Sequence, residues 1–241
     1  MQLEKILFLD IETAPQTDSY STMNETLAHL WEEKIEQMKS RLPERYQEEC
    51  TAESKYQEAG IFAEFGRIVC ISVGYIYYKD NQKHLREKSF YGTDEHQILT
   101  DFANLLNKAY ADRYSYLCGH NSKEFDFPFI ARRMLIHRIP LPEILNIAGK
   151  KPWECQFLDT MDLWKFGDYK HYTSLKLLCA VFNIPTPKDD IDGSEVAGVF
   201  YEEKDYDRIA IYCEKDVLAT VQVYLCMNGS EPIDAKNVEH V

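Results

Sequence analysis

Asp10 and Glu12 stand one residue apart at the end of an apolar run in "ILFLDIETAP" (6–15). Strand side chains alternate, so both carboxylates project to one face. Two like charges side by side in that setting are unfavourable. Two further acids interrupt apolar elements. Asp126 lies between Phe125 and Phe127 in "HNSKEFDFPFI", and Asp216 follows Tyr212 by four residues in "YCEKDVLATV". Positions i and i+4 share a helix face, so that phenol and carboxylate point into the same space. Hard divalent cations remove the repulsion among clustered carboxylates, and an all-oxygen site suits Mg²⁺ or Mn²⁺. Two such ions about 3.5–4 Å apart can activate a water and stabilise the leaving oxygen of a phosphodiester. A phenol with a pKa of about 10 is a poor base at neutral pH, so Tyr212 fits the role of orienting that water. Each position alone also fits a structural role. Asp10 reads as a strand-end cap, Asp126 as a charge facing a helix dipole, and Tyr212 with Asp216 as a solvated helix edge. Four carboxylates in apolar contexts on three elements make the cation reading the stronger one.

The elements that must position these groups follow from periodicity. Residues 5–12 read as a first strand. "GRIVCISVGYIYY" (66–78) is a long β-branched and aromatic strand, with "HLREKSFYG" as its antiparallel partner. "YSYLCGHN" (114–121) is a short strand, and "CQFLDTMDLW" a strand running into a turn or short helix. Helical spacing marks 93–111, 123–136 with Pro128 in its first turn, 174–183 and 206–227, with Ile211, Val217 and Leu218 expected to be buried. Residues 19–60 read as a helical insertion. Thr22 with Glu25 fits a capping box, Leu27, Leu30, Trp31, Ile35, Met38 and Leu42 keep helical spacing, and a second helix is expected over 44–58. Residues 184–205 read as a loop. Early strands in a meander followed by alternating helices and strands imply an α/β fold with a mixed sheet of five strands and helices on both faces.

The motifs "FLDIET", "HNSKEFD" and "YCEKD" resemble the three exonuclease motifs of the DEDD superfamily of 3′–5′ exonucleases. The Tyr-x-x-x-Asp spacing of the third marks the DEDDy branch. The chain from about 5 to 227 carries the motifs in order, and most resembles predicted stand-alone exonucleases related to the proofreading domain of family B DNA polymerases. The resemblance implies a ribonuclease H-like fold and a metal-dependent exonuclease using two divalent cations, Mg²⁺ or Mn²⁺. It implies that Asp10, Glu12 and Asp216 hold one cation and that Asp10 and Asp126 hold the second. Tyr212 would position the attacking water, Asn121 would contact substrate or steady the second motif, and Phe125 would pack beneath the site. The implied partner is nucleic acid with a 3′ end, foremost single-stranded DNA, released as nucleoside 5′-monophosphates. RNA-directed cleavage by the same chemistry and a non-catalytic binding module on this fold are the alternatives. The stretch 19–60 departs from the family, where the corresponding connection is often short.

Composition bounds the rest. The chain has 241 residues, a hydrophobic content of 45% and a formal net charge of −13. That balance excludes a broad basic nucleic-acid footprint and predicts local contact, with bound cations setting the sign of the site. The expected organisation is one exonuclease domain over 1–228 and a loose polar tail over 229–241, without a polymerase domain. No run approaches a membrane span and no targeting segment is evident, which favours the cytoplasm. Seven cysteines without a CxxC pair argue for reduced thiols, most of them in the core. "KDDIDGSE" (188–195) reads as a turn, because it lacks the EF-hand spacing. Asp159 and Asp162 read as caps for the element that follows, with support of the site as the alternative. Arg132, Arg133, His137 and Arg138 form a basic group that either reaches phosphates or ends a helix in solvent. His120 has no neighbouring His or Cys at ligand spacing and is not assigned to a metal.

Overall fold

In the computed structural model, residues 2–168, 172–185 and 191–241 are described. Strand β1 (Ile6–Pro15) lies inside the sheet. It pairs antiparallel with β2 (Gly66–Lys79), which pairs antiparallel with β3 (Gln82–Tyr91). On its other side it pairs parallel with β4 (Tyr116–Gly119), and β4 pairs parallel with β5 (Phe157–Asp159). A sixth strand, β6 (Val238–His240), joins β3 in parallel, giving the order β5-β4-β1-β2-β3-β6. The mixed α/β architecture is the one read from the sequence and is compatible with a ribonuclease H-like fold. The expected count of five strands is corrected to six among the described residues.

The helices are α1 (Glu25–Arg41), α2 (Glu95–Ala109), α3 (Asp126–Ile136), α4 (Thr160–Lys165), α5 (Leu175–Val181), α6 (Val196–Gly198) and α7 (Tyr206–Met227). Alternation along β1 sorts the core into two faces. Leu7, Leu9 and Ile11 pack with Leu99, Phe102 and Leu106 of α2 and with Phe127, Ile130 and Met134 of α3. Ile6 and Phe8 pack on the opposite face with Val217, Val221, Tyr224 and Leu225 of α7. Asp10 and Glu12 continue the Ile6, Phe8 series and so turn toward α7. Fully burying a side chain such as Ile6, Leu7, Phe8 or Leu9 contributes about 1.5–3 kcal/mol each, which anchors β1 against the repulsion at its end. Ile211 is exposed, contrary to expectation, because the buried stripe of α7 runs through Cys213 and Val217.

Residues 19–60 are less helical than their composition predicts. Asn24, not Thr22, caps α1, accepting from the N–H groups of Thr26 and Leu27. Thr22 is engaged elsewhere: its hydroxyl donates to Asp18 Oδ1 at 2.7 Å. Trp31 and Ile35 of α1 pack with Tyr46, Tyr56, Ala59 and Phe65 in a cluster of their own, while Leu30 and Leu42 stay exposed. Pro43 disfavours helical geometry at Leu42, where α1 ends. Beyond it the expected second helix is replaced by turns and a 3₁₀ segment, Tyr56–Ile61. Thr51 and Ser54 exchange side chain-to-backbone hydrogen bonds there, which compete with helix formation.

Between α5 and α7 the expected loop contains α6 and a π-helical turn, Val199–Glu203. The acidic run at 188–195 lies partly outside the described residues. Its described part is a turn in which Asp192 Oδ1 accepts from the Ser194 N–H at 2.8 Å. The C-terminal segment is tied down rather than loose. Gln222 of α7 exchanges two hydrogen bonds of 2.8 Å with the backbone of Ile233. His240 Nδ1 lies 3.0 Å from Glu214 Oε2 and 3.6 Å from the buried Glu87 Oε2. Among the described residues no helix is long and apolar enough to cross a membrane.

Candidate active site

Three elements deliver the carboxylates to the end of β1. Asp10 and Glu12 come from the strand itself. The register shifts between Glu12 and Thr13, and this irregularity falls beside the second carboxylate. Asp126 opens α3 and is buried, and its Oδ1 accepts the Ile11 N–H at 3.1 Å. That bond pins Asp126 to the backbone between the two β1 acids. Asp216 stands on α7, the helix against which their face packs.

Among the described residues Asp10 and Glu12 lie within 4.8 Å of each other together with Cys213, and Asp126 and Asp216 are near enough for their charges to act on them. Burial pushes the Asp10 carboxyl well above the usual range, and Asp126, Asp216 and Glu12 push it further. Burial also raises Glu12, with Asp216 as the largest charged contributor. Asp126 is pushed up to about 7, chiefly by burial, although the Ile11 N–H opposes the rise. Glu12 is only 8% exposed, and among the described residues no donor bonds its carboxylate. A carboxylate in such a setting is costly unless an opposite charge offsets it, which a bound cation supplies. The donor set is therefore chemically suited to hard divalent ions.

The remaining predicted positions flank this cluster. Asn121 follows β4 in the left-handed region, φ 62°, which asparagine tolerates better than most residues. Its Oδ1 is buried without a hydrogen-bond partner among the described residues. Gly119 permits the close turn: a Cβ there would overlap Ser122 and stand 3.0 Å from the Leu9 carbonyl oxygen. Phe125 is half-buried, with its ring 5.4 Å from that of Phe129, so it packs against the core. Tyr212 is half-buried beside the cluster formed by Ala14, Cys70 and Cys213.

Asp159 has a larger part than its capping role predicted. It caps α4, and its buried carboxylate also accepts from Asn121 N at 2.9 Å and Lys123 N at 3.0 Å. It therefore fixes the backbone of the loop ahead of Asp126. Asp162 is exposed and pairs with Lys123 at 3.2 Å. His120 is held through both ring nitrogens, by Thr160 Oγ1 at 2.8 Å and the Thr173 carbonyl at 2.9 Å, in keeping with its exclusion as a ligand. The basic group at 132–138 is not a phosphate surface as a unit. Arg133 is buried against Glu95, while Arg132 and Arg138 remain exposed.

Sequence reasoning missed two thiols. Cys213 Sγ lies 3.4 Å from both the backbone oxygen and Oδ2 of Asp10, and Cys70 lies against Cys213. The one available signal was position: Cys213 follows Tyr212 on α7, and Cys70 pairs with Glu12 in the sheet. A cleft of about 730 Å³ is lined by residues of β3 and α2 such as Lys88 and Asp101 and by none of the four acids.

Fold and site together define a class: an α/β protein, compatible with a ribonuclease H-like exonuclease, whose acids gather where β1 meets α7. A family of predicted 3′–5′ exonucleases related to the exonuclease domain of PolB matches residues 61–238, and this chain belongs to it. The matched span holds Asp126, Tyr212 and Asp216, while Asp10 and Glu12 precede it. The chain is also similar to an uncharacterized protein of Methanocaldococcus jannaschii. The two are 27% identical over 136 residues, which is 54% of this chain and 72% of the relative.

Proposed function

We propose that this chain is a metal-dependent 3′–5′ exonuclease of the DEDDy type, which shortens single-stranded DNA from its 3′ end and releases nucleoside 5′-monophosphates. The observation that carries the reading is the convergence of Asp10, Glu12, Asp126 and Asp216, in which each acid of the first three raises or is raised by the others. Asp10, Glu12 and Asp216 would hold one divalent cation, and Asp10 with Asp126 a second. Bound Mg²⁺ or Mn²⁺ supplies positive charge at the scissile phosphate and a more acidic water.

The chain's own groups do the positioning. The Tyr212 hydroxyl orients the attacking water by hydrogen bonding. The buried Asn121 Oδ1 accepts a hydrogen bond from the terminal nucleotide, and Asp159 keeps that loop in place. Phe125 supports the floor beneath the substrate. Water attacks phosphorus, the bond to the 3′ oxygen breaks, and that oxygen takes up a proton as the terminal nucleotide leaves.

The test uses 5′-labelled single-stranded DNA and RNA of matched sequence with Mg²⁺ or Mn²⁺. Progressive shortening of DNA from the 3′ end, stopped by chelation and lost in Asp126→Ala, is the expected result. No shortening, or equal shortening by the variant, overturns the reading. Faster shortening of RNA overturns the choice of DNA and leaves the chemistry.

A further inference from the structure

We infer that the Asp10–Glu12 corner is a mixed sulfur–oxygen site that takes a thiophilic divalent cation, Zn²⁺ or Cd²⁺, with Cys213 as its sulfur ligand. Ligand atoms of Asp10, Glu12 and Cys213 all lie within 4.8 Å of one another. The Cys213 Sγ to Asp10 Oδ2 separation is 3.4 Å. A tetrahedral zinc ion with a sulfur at about 2.3 Å and an oxygen at about 2.0 Å places those two atoms about 3.5 Å apart. The sulfur and the Asp10 oxygen are thus already one edge of such a site. Glu12, at 8% exposure and without a hydrogen-bond donor among the described residues, supplies an uncommitted third ligand from the same strand.

The chemistry of the donors decides the class of ion. Mg²⁺ prefers carboxylate, carbonyl and water oxygens, whereas thiolate favours zinc-like ions. The Cys213 thiol donates to Asp10 Oδ2 at 3.4 Å, and an ion that takes up the sulfur replaces that hydrogen bond. Here Cys213 comes from α7, and Cys70 touches it from β2. Entry of the ion displaces the Cys213 thiol proton to solvent, so charge balances as one thiolate forms and one proton leaves. A thiophilic ion seated there draws Asp10 and Glu12 away from a hard cation. The corner is then a point at which zinc-like ions oppose Mg²⁺.

The inference rests on Asp10 and Glu12 being cation ligands, and its test does not require hydrolysis. Full-length protein in which the half-buried Cys50, Cys155 and Cys226 are serine is titrated with Cd²⁺ alone. The thiolate-to-cadmium absorption in the ultraviolet is followed. One equivalent of band is expected, lost in Cys213→Ser and weakened in Asp10→Ala. Loss of a direct ligand should lower Cd²⁺ affinity by more than the roughly 10–100-fold that loss of an outer partner costs. No band, or the same band in Cys213→Ser, overturns the inference. Should that variant misfold, cadmium NMR of the unsubstituted site decides: a resonance shifted toward sulfur ligation supports it, and one in the all-oxygen range overturns it. A cadmium band without any shortening of oligonucleotides supports the mixed site and overturns only the exonuclease reading.

Discussion

Asp10→Asn is expected to stabilise the cation-free protein while removing its hydrolytic activity. The two effects have one cause on the reading proposed above. Asp10 feels Asp126, Asp216 and Glu12 together, in a setting where burial already disfavours its charge. Asparagine keeps the shape and removes one charge from the repulsion. The same change removes the ligand shared by both cations. Metal assistance is worth several kcal/mol, and each 1.36 kcal/mol is tenfold in rate, so a loss of about 10³-fold or more is expected. The sign with pH follows from the raised carboxyls. A carboxyl raised in the folded state holds a proton that the unfolded chain has released. Its favourable contribution is complete below the ordinary carboxylate range and is lost as pH rises, for Asp126 through about 7. In chelator, wild-type thermal stability should therefore fall from about pH 4 to about pH 7, and Asp10→Asn should flatten that slope. An unchanged slope with an equal or lower melting temperature contradicts the account.

Arg133→Met is expected to be the most destabilising single change away from the site. Arg133 and Glu95 are 1% and 4% exposed, and their closest N···O distance is 2.6 Å. Arg133 Nε also donates to Glu95 Oε1 at 2.8 Å, and a third nitrogen donates to the Ala63 carbonyl at 2.9 Å. Glu95 further accepts from Ile68 N at 2.8 Å, so one carboxylate ties α2 and α3 to the start of β2. Burial alone would push Glu95 up, but the Arg133 guanidinium, the Ile68 N–H and His137 together hold the carboxyl below its ordinary value. Removing the arginine takes the main charge partner from a buried acid and leaves it the Ile68 N–H and His137 Nε2 at 2.8 Å, at a cost of roughly 3–5 kcal/mol. For a chain of this size that is about 6–20 °C in melting temperature. A carboxyl lowered in the folded state stabilises above the ordinary carboxylate range and loses its contribution as pH falls. This pair therefore weakens toward acid, the opposite direction to the site carboxyls. Glu95→Leu combined with Arg133→Met should recover part of the loss, because the pair is removed whole. Arg133→Met within about 1 kcal/mol of wild type in urea denaturation would contradict the account.

What was legible in the sequence was local or periodic. Alternation along residues 6–12 gave both the two core faces and the shared direction of Asp10 and Glu12. Helical spacing placed α2, α3 and α7, and the i, i+4 pair put Tyr212 and Asp216 on one face. What escaped depended on partners distant in the chain. Strand β6 is three residues long and exists because β3 offers it an edge, which no period in "VEH" announces. Arg133 looked like surface charge until Glu95, on another helix, was brought beside it. Thr22 lost the capping role to Asn24 because Asp18 and Ser19 claim its hydroxyl. Cys213 belonged to an apolar stripe, and only the approach of α7 to β1 set its sulfur beside Asp10.

A Mn²⁺ soak of crystals of this protein, read by anomalous scattering, tests directly whether the four carboxylates hold two cations. Two ions are expected at the end of β1, bridged by Asp10, with Glu12 and Asp216 on one and Asp126 on the other. Ordinary solvent among these four carboxylates at high Mn²⁺ would contradict this arrangement.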